Sequence, residues 1–486
     1  MTDRLCLATL PRLPATVARP AHDRGALRIG IVHLGIGAFH RAHQAAFTDA
    51  TLASDPTWAI AGVSLRSPDT RDALAPQDGL YTLATRSAEG DAFRVIGSVP
   101  RLLVAPEDPE AVLALMAAPA TRIVSLTVTE KGYCHLPATG TLDEAHPDIV
   151  HDLAHPATPR SAVGYIVEAL DRRRRAGVAP FTVLSCDNLP ANGHTLARVA
   201  TRLAELRDPA LGAWVAAEVA FPSTMVDRIV PATTEADRAF VAAATGLADG
   251  WPIVTEAFTQ WVIEDRFPQG RPAWDRVGAT LVADVTPFEL AKLRLLNASH
   301  SSLAYLGYLA GHETVAEAMD APGFGAFVER LMNEVAPTLP PLPGFDVPAY
   351  QRELRARFRN PALRHRLYQI AMDGSQKLPQ RMLGAVRDLI AAGQPFPCLA
   401  LGVAAWMRYA AGFDEAGAPI AVQDPLAAIF RDRLAGRRDA GAIHATALSL
   451  TEVFGHDLPA TPVFTAATRA ALERIMALGA ARAVAG

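Results

Sequence analysis

The hydrophobic periodicity of this chain changes once, near residue 285, and nothing else constrains its fold as much. Before that point, short apolar runs rich in β-branched residues recur at 29–34, 59–65, 122–129 and 181–185, with helical stretches such as 161–175 between them. Strands alternating with helices predict βαβ units and a mostly parallel sheet. Ser161 reads as a helix cap and Gly177 as a stop, and Arg172 to Arg175 read as a solvated helix end that complements the dipole. Beyond 285 the strand signals largely vanish, and helical patterns follow at 286–309, 314–335, 349–359, 362–372 and 380–392. The expectation is an α/β domain over 1–285 and a mainly α-helical domain over 286–486.

Composition narrows the function classes. With 486 residues, 50% of them hydrophobic and 20% charged, the chain has enough material for two sizeable cores. A net charge of −4 creates no long-range field that would gather nucleic acid or anionic lipid, so neither is expected as a partner. No apolar run approaches the roughly 20 residues that span a bilayer. The first residues, with Asp3, Arg4, Pro11, Pro14 and Pro20, have no secretory pattern, and a cytoplasmic protein is expected. Cys6, Cys134, Cys186 and Cys398 are scattered with no CxxC pair, which indicates neither a disulfide framework nor a thiolate zinc site. Of the 46 basic residues only Lys131, Lys292 and Lys377 are lysines. Arginine stays protonated, whereas a buried lysine amine can lose its proton near neutral pH, so each retained lysine is either a chance survivor or a position where that chemistry is wanted.

The first apolar run leads into Gly35-Ile36-Gly37-Ala38-Phe39-His40, a G-x-G-x-x-H with histidine at the place of the third glycine. Two glycines let the backbone turn sharply and approach a pyrophosphate at a helix start, which points to a Rossmann-like domain and a dinucleotide cofactor lined by Gly35, Gly37, Phe39 and His40. His40 and His43 lie three apart, but no nearby cysteine or carboxylate completes a ligand set. No metal is expected, and packing beside the cofactor is the better account. After the second run, Asp69 would hold the adenosine ribose of NAD, while Arg66 would suit the 2′-phosphate of NADP. NAD is expected, with NADP left open.

The segment Thr286 to His300 carries the most chemistry. Thr286 reads as an N-cap, Pro287 as the first helical residue and Glu289 as the partner in a capping box. On a regular α-helix, at about 100° per residue, Lys292, Asn297 and His300 share an arc of roughly 140° with Leu293 and Leu296, and Arg294 falls outside it. An ordinary surface lysine would lay its stem along such leucines. A partly buried face would instead bring a base, an amide and an imidazole together. Asn188 follows the run at 181–185, where loops of parallel sheets meet ligands, and either donates to a substrate oxygen or completes a turn. Lys377 and Arg381 lie about a turn with several amides and hydroxyls, which would suit an anionic or polyhydroxyl substrate or form an ordinary loop.

These segments resemble the long-chain mannitol dehydrogenase family, the zinc-independent polyol dehydrogenases, along nearly the whole chain. The resemblance rests on IVHLGIGAFHRAHQ (31–44), SLTVTEKGYC (125–134), SCDNLPANG (185–193), TMVDRIVPAT (224–233), KLRLLNASHS (292–301) and DGSQKLPQR (373–381). It implies that Lys292 is the general base, that Asn188 and Asn297 stabilise an oxyanion, and that His300 orients the substrate. It further implies that Asp227 and Lys377 line the substrate site and that Glu289 passes protons to solvent. TEKGYC and DGSQKLPQR are closer to the fructuronate reductase (D-mannonate oxidoreductase) branch than to mannitol 2-dehydrogenases, which carry an arginine where this chain has Gln369. Arg381 would then meet a sugar-acid carboxylate. The implied activity is hydride transfer between NAD(H) and D-fructuronate/D-mannonate. Mannitol 2-dehydrogenase or another polyol dehydrogenase is the alternative within the class, and a catalytically silent dinucleotide-binding regulator the alternative outside it. The partner is a small sugar acid or polyol, and the oligomeric state is left open, a monomer included.

Overall fold

A computed structural model describes residues 3–87, 89–136, 139–342 and 344–485. The chain divides into two compact units, Met1–Thr286 and Pro287–Gly486.

The first unit is built on a five-stranded parallel sheet. Its strands are β1 (Ile29–Leu34), β2 (Ala59–Ser64), β3 (Arg101–Val104), β4 (Ile123–Leu126) and β5 (Thr182–Ser185), in the order β5-β4-β1-β2-β3. β1, β2, β4 and β5 are mostly apolar because both faces are covered, whereas the edge strand β3 is partly exposed. Val32, Leu34, Val63, Val124 and Leu126 point into one core shared with helix α2 (Ala162–Arg175) and helix α3 (Asn192–Arg207). Ile31, Ile60, Ile123 and Leu184 point into the other, against Trp58, Trp261 and Trp274. The strand order reverses between β1 and β4, which opens a crevice at the carboxyl ends of these strands. The Gly35–Gly37 turn leaves β1 at this edge. The segments starting at Thr127 and Cys186 leave β4 and β5 there.

Helix α2 is capped by Ser161, whose side chain accepts from the N–H of Gly164, as the sequence predicts. Its arginine end is not simply solvated. Arg173 is fully buried and donates to the carbonyls of Thr121 (2.6 Å) and Met116 (3.2 Å), and Arg172 pairs with Glu110 and Glu168. Besides the two-stranded pair His135–Leu136 and Thr141–Leu142, two larger sheets have no counterpart in the sequence reading. One is a mixed sheet of Val17–Ala18, Gly90–Ile96, Tyr81–Ser87 and Ile253–Glu256. The other joins β6 (Thr224–Asp227), β7 (Gln260–Glu264) and β8 (Thr280–Val282). Most of these strands are only two to five residues long, and the two longest, Tyr81–Ser87 and Gly90–Ile96, carry Arg86, Asp91 and Arg94, which weakens the apolar signal.

The second unit is helical, and its described residues add only isolated bridges, Thr314 to Arg366 and Phe413 to Pro419. One unbroken run opens it: α4 (Thr286–Ala291), a π-helical turn Lys292–Asn297, and α5 (Ala298–Leu309). Nearly every residue of α5 is buried, so this is the central helix of the unit, packed against Pro397–Ala410. The helix predicted over 314–335 is two, Val315–Asp320 and Phe324–Val335, because Gly323 between them has φ +87°. Among the described residues no helix is long and apolar enough to cross a membrane.

Candidate active site

At the crevice, Gly35 has φ +91°, and a Cβ there would lie 2.2 Å from the carbonyl oxygen of Thr127. Only glycine lets β1 turn this close to β4. Gly37 differs: a Cβ there would meet nothing nearer than the Gly35 carbonyl at 3.9 Å, and this exposed glycine caps α1 (Ala38–Ala42). That open backbone face is what a pyrophosphate needs for close approach. His40 does not face the crevice. It is fully buried, stacked on His33 with ring centres 3.4 Å apart and planes at 15°. His33 bonds Ser125 Oγ (2.8 Å) and Thr127 Oγ1 (2.9 Å), so the two imidazoles fasten the glycine turn to β4 from behind. Burial drives the His33 pKa down to about 3 and holds His40 far below its usual range, and both rings are neutral. The half-buried Phe39 ring stacks on His43 at 5.0 Å. Arg66 and Asp69 are exposed beyond the end of β2, and Asp69 accepts from Ser67 Oγ at 2.9 Å.

Asn188 is exposed one residue past a clamp that sequence reasoning missed. The buried Asp187 carboxylate accepts from the N–H groups of Val128 (3.0 Å) and Thr129 (2.9 Å) and from Tyr133 Oη (2.9 Å). Thr129 has φ +65°, an uncommon conformation for a β-branched residue, and Asp187 holds it there. Burial raises the Asp187 pKa, and the three donors oppose that shift. Asn192, at the start of α3, donates to the carbonyls of Asp187 (3.0 Å) and Thr224 (2.9 Å) and accepts from the Thr224 N–H (2.9 Å). It thereby fixes the Asn188 loop to β6, whose last residue is the buried Asp227.

In the helical unit Lys292, Asn297 and His300 are all at most 8% exposed, on one run of helix. The sequence predicts a regular α-helix there, and the structure corrects this. Lys292–Asn297 is wound as a π-helix, in which residues five apart become the neighbours along one face, so Lys292 and Asn297 draw closer to a common line than an α-helix allows. The start of the run is corrected too. The helix includes Thr286, whose N–H is accepted by Asp284 Oδ1 at 2.9 Å, so Asp284 takes the capping role read for Thr286. Glu289 is half-buried in α4. Arg294, on the other side, pairs with Asp388 at 2.6 Å and donates to the Thr338 carbonyl.

Two polar atoms of this face are buried without a protein partner, Asn297 Nδ2 and His300 Nε2. Most buried polar atoms are satisfied within the protein, so these two are available to a bound molecule. The His300 ring is fixed by contacts that the sequence did not reveal: Phe358 stacks on it at 4.9 Å and His365 meets it edge-on at 4.8 Å. Burial, then the positive charges of its surroundings, keep the His300 pKa far below its usual range, and burial brings His365 to about 4. Lys377 Nζ, on α7 (Gly374–Leu378), donates to the carbonyls of Met372 (2.5 Å) and Ile370 (3.3 Å), at the end of α6 (Leu367–Ala371). Arg381 lies in a second π-helical turn, Pro379–Leu383, which packs on the first, and it donates to Ser301 Oγ at 3.0 Å.

The architecture is that of a two-domain dehydrogenase, with an N-terminal Rossmann domain and a mainly helical C-terminal domain. Residues 29–276 match the mannitol dehydrogenase Rossmann domain and residues 284–476 the mannitol dehydrogenase C-terminal domain. The D-mannonate oxidoreductase of Escherichia coli is 50% identical over 475 residues, covering 96% of this chain and 98% of that protein. A mannitol 2-dehydrogenase of Pyricularia oryzae is 43% identical, covering 94% and 92%. The Pseudomonas fluorescens mannitol 2-dehydrogenase, solved as a ternary complex with NAD and D-mannitol, superposes with a TM-score of 0.88 at 41% identity, covering 99% of this chain and 98% of that one. The chain belongs to the mannitol dehydrogenase family and is an oxidoreductase.

Proposed function

We propose that this enzyme interconverts D-fructuronate and D-mannonate with NAD(H), using Lys292 as the general acid and base. The observation that carries the reading is the buried polar face of the π-helical turn, where Lys292 and Asn297 lie together and Asn297 Nδ2 has no protein partner. The 50% identity with a D-mannonate oxidoreductase supports the choice of substrate over a polyol. The Rossmann unit, residues 1–285, is read as the cofactor domain, and 286–486 as the substrate and catalytic domain. The open face at Gly37 fits a dinucleotide pyrophosphate, with Gly35 and Phe39 beside it and His40 supporting the turn from inside. Asp69 would take the adenosine ribose and Arg66 would admit a 2′-phosphate, and the NAD bound by the Pseudomonas relative favours NAD.

When bound, the nicotinamide supplies or accepts the hydride at the substrate carbon. Neutral Lys292 takes the proton from the substrate hydroxyl in oxidation and returns it to the carbonyl oxygen in reduction. Asn188 and Asn297 donate hydrogen bonds to the developing alkoxide oxygen. His300 Nε2 holds a neighbouring hydroxyl, Asp227 and Lys377 line the substrate, Arg381 meets the carboxylate, and Glu289 passes the proton on to solvent. No metal ligand enters this chemistry.

Initial rates of NADH and NADPH oxidation with fructuronate, tagaturonate and fructose test the reading. NADH with fructuronate should dominate, and Arg381→Gln should erode that preference by raising KM for the acid. Faster turnover of fructose would place the enzyme among the polyol dehydrogenases. No turnover of any of the three would leave a dinucleotide-binding regulator.

A further inference from the structure

Away from these residues, the fold gathers three side chains that their spacing in the sequence does not connect. The ligand atoms of Cys134, His146 and Asp148 all lie within 4.8 Å of one another, and among the described residues no other His, Cys, Asp or Glu cluster does the same. We propose that this triad binds a thiophilic divalent cation of the Zn²⁺ class, with water as fourth ligand, and braces the turn that ends at Cys134.

The donor set suits that ion: a thiolate, an imidazole and a carboxylate make three protein ligands around a tetrahedral centre, with the fourth place open. The loop carrying them is already closed by backbone hydrogen bonds. The Asp143 N–H donates to the Cys134 carbonyl at 2.8 Å, and the His146 N–H donates to the Asp143 carbonyl at 3.0 Å. Cys134 is buried, in a left-handed conformation at φ +50° that ends the turn Glu130–Tyr133. Its surroundings are short of positive charge. The carboxylates of Asp148, Asp152 and Asp143 act on the Cys134 thiol, with Arg66 the lesser opposing charge. A cation held by the three side chains would offset that negative charge.

One contact must yield. His146 Nδ1 accepts the Asp148 N–H at 3.2 Å and so caps the helix Pro147–Ala154. A neutral imidazole has one lone-pair nitrogen, so the cation competes with that cap. In exchange the turn is pinned beside Tyr133, whose hydroxyl donates to Asp187. The site lies outside the proton-transfer set, and a chelator should leave turnover unchanged while it removes the brace.

Co²⁺ titration of the whole protein is the test, because thiolate ligation gives a ligand-to-metal charge-transfer band and tetrahedral cobalt gives intense visible bands. One equivalent should produce both in the wild type and in Cys6→Ser. Cys134→Ser should abolish the charge-transfer band and His146→Gln should weaken binding at least about tenfold, with the apo variants keeping the far-ultraviolet circular dichroism of the parent. Zn²⁺ should raise Tm in the parent and in Cys6→Ser, and not in Cys134→Ser. A wild type without the charge-transfer band, or a band that survives Cys134→Ser, would overturn the proposal. So would unchanged affinity in His146→Gln, which also serves if the serine variant fails to fold.

Discussion

His365 stands edge-on to His300, with ring centres 4.8 Å apart and planes at 76°, while Phe358 covers the other side of the His300 ring. His300 is thus held by neighbours 58 and 65 positions further along the chain. Replacing His365 by alanine should free the His300 ring to rotate. The expected loss in kcat/KM is roughly 10- to 100-fold, the order associated with misplacing a positioning group. Steady-state kinetics beside an unchanged NADH affinity would check it.

The same burial makes the fold acid-sensitive. His33 (about 3) and His365 (about 4) titrate below the roughly 6.5 of an unfolded histidine, and His40 and His300 are displaced in the same direction. The unfolded chain therefore binds more protons than the folded one below that value. The stability these rings contribute is complete above about pH 6.5 and is lost as pH falls toward 3. Tm should drop over that window, and His365→Phe should make the drop shallower.

Lys292→Ala should lower kcat by roughly 10²- to 10⁴-fold, the usual contribution of a positioned acid or base. NADH binding, followed by fluorescence titration, should be retained, because the cofactor residues lie elsewhere in the chain. Turnover within a few-fold of the parent would remove Lys292 from the chemistry.

The two turn glycines should separate folding from cofactor binding. Gly35→Ala puts a Cβ 2.2 Å from the Thr127 carbonyl at φ +91°, and should unfold the turn or lower Tm sharply. Gly37→Ala meets no atom within 3.8 Å, so Tm should stay near that of the parent while the NADH Kd rises.

Asp187→Asn keeps the shape of the clamp but removes the charge and turns one acceptor oxygen into a donor. One of the three incoming hydrogen bonds must fail, at a cost of about 1–3 kcal/mol in this buried place. Urea unfolding should register that loss, and kcat should fall with it as Thr129 and Asn188 shift.

The sequence by itself determined the order of the two folds, the glycine turn and the polar side of the run from Thr286 to Leu309. All of these are local: a hydrophobic period, a φ that only glycine adopts readily, and residues a few positions apart on one helix. Within each unit, the supports of the candidate residues were decided elsewhere. Asp187 reaches Thr129 across 58 positions, and His365 reaches His300 only when two helical segments fold together. The π-helical turn at Lys292–Asn297 has no mark in KLRLLN, whose residues suit an α-helix; it forms where a second π turn, Pro379–Leu383, packs on it. Contacts between distant segments depend on how the chain closes on itself, and periodicity along one segment carries no record of that closure.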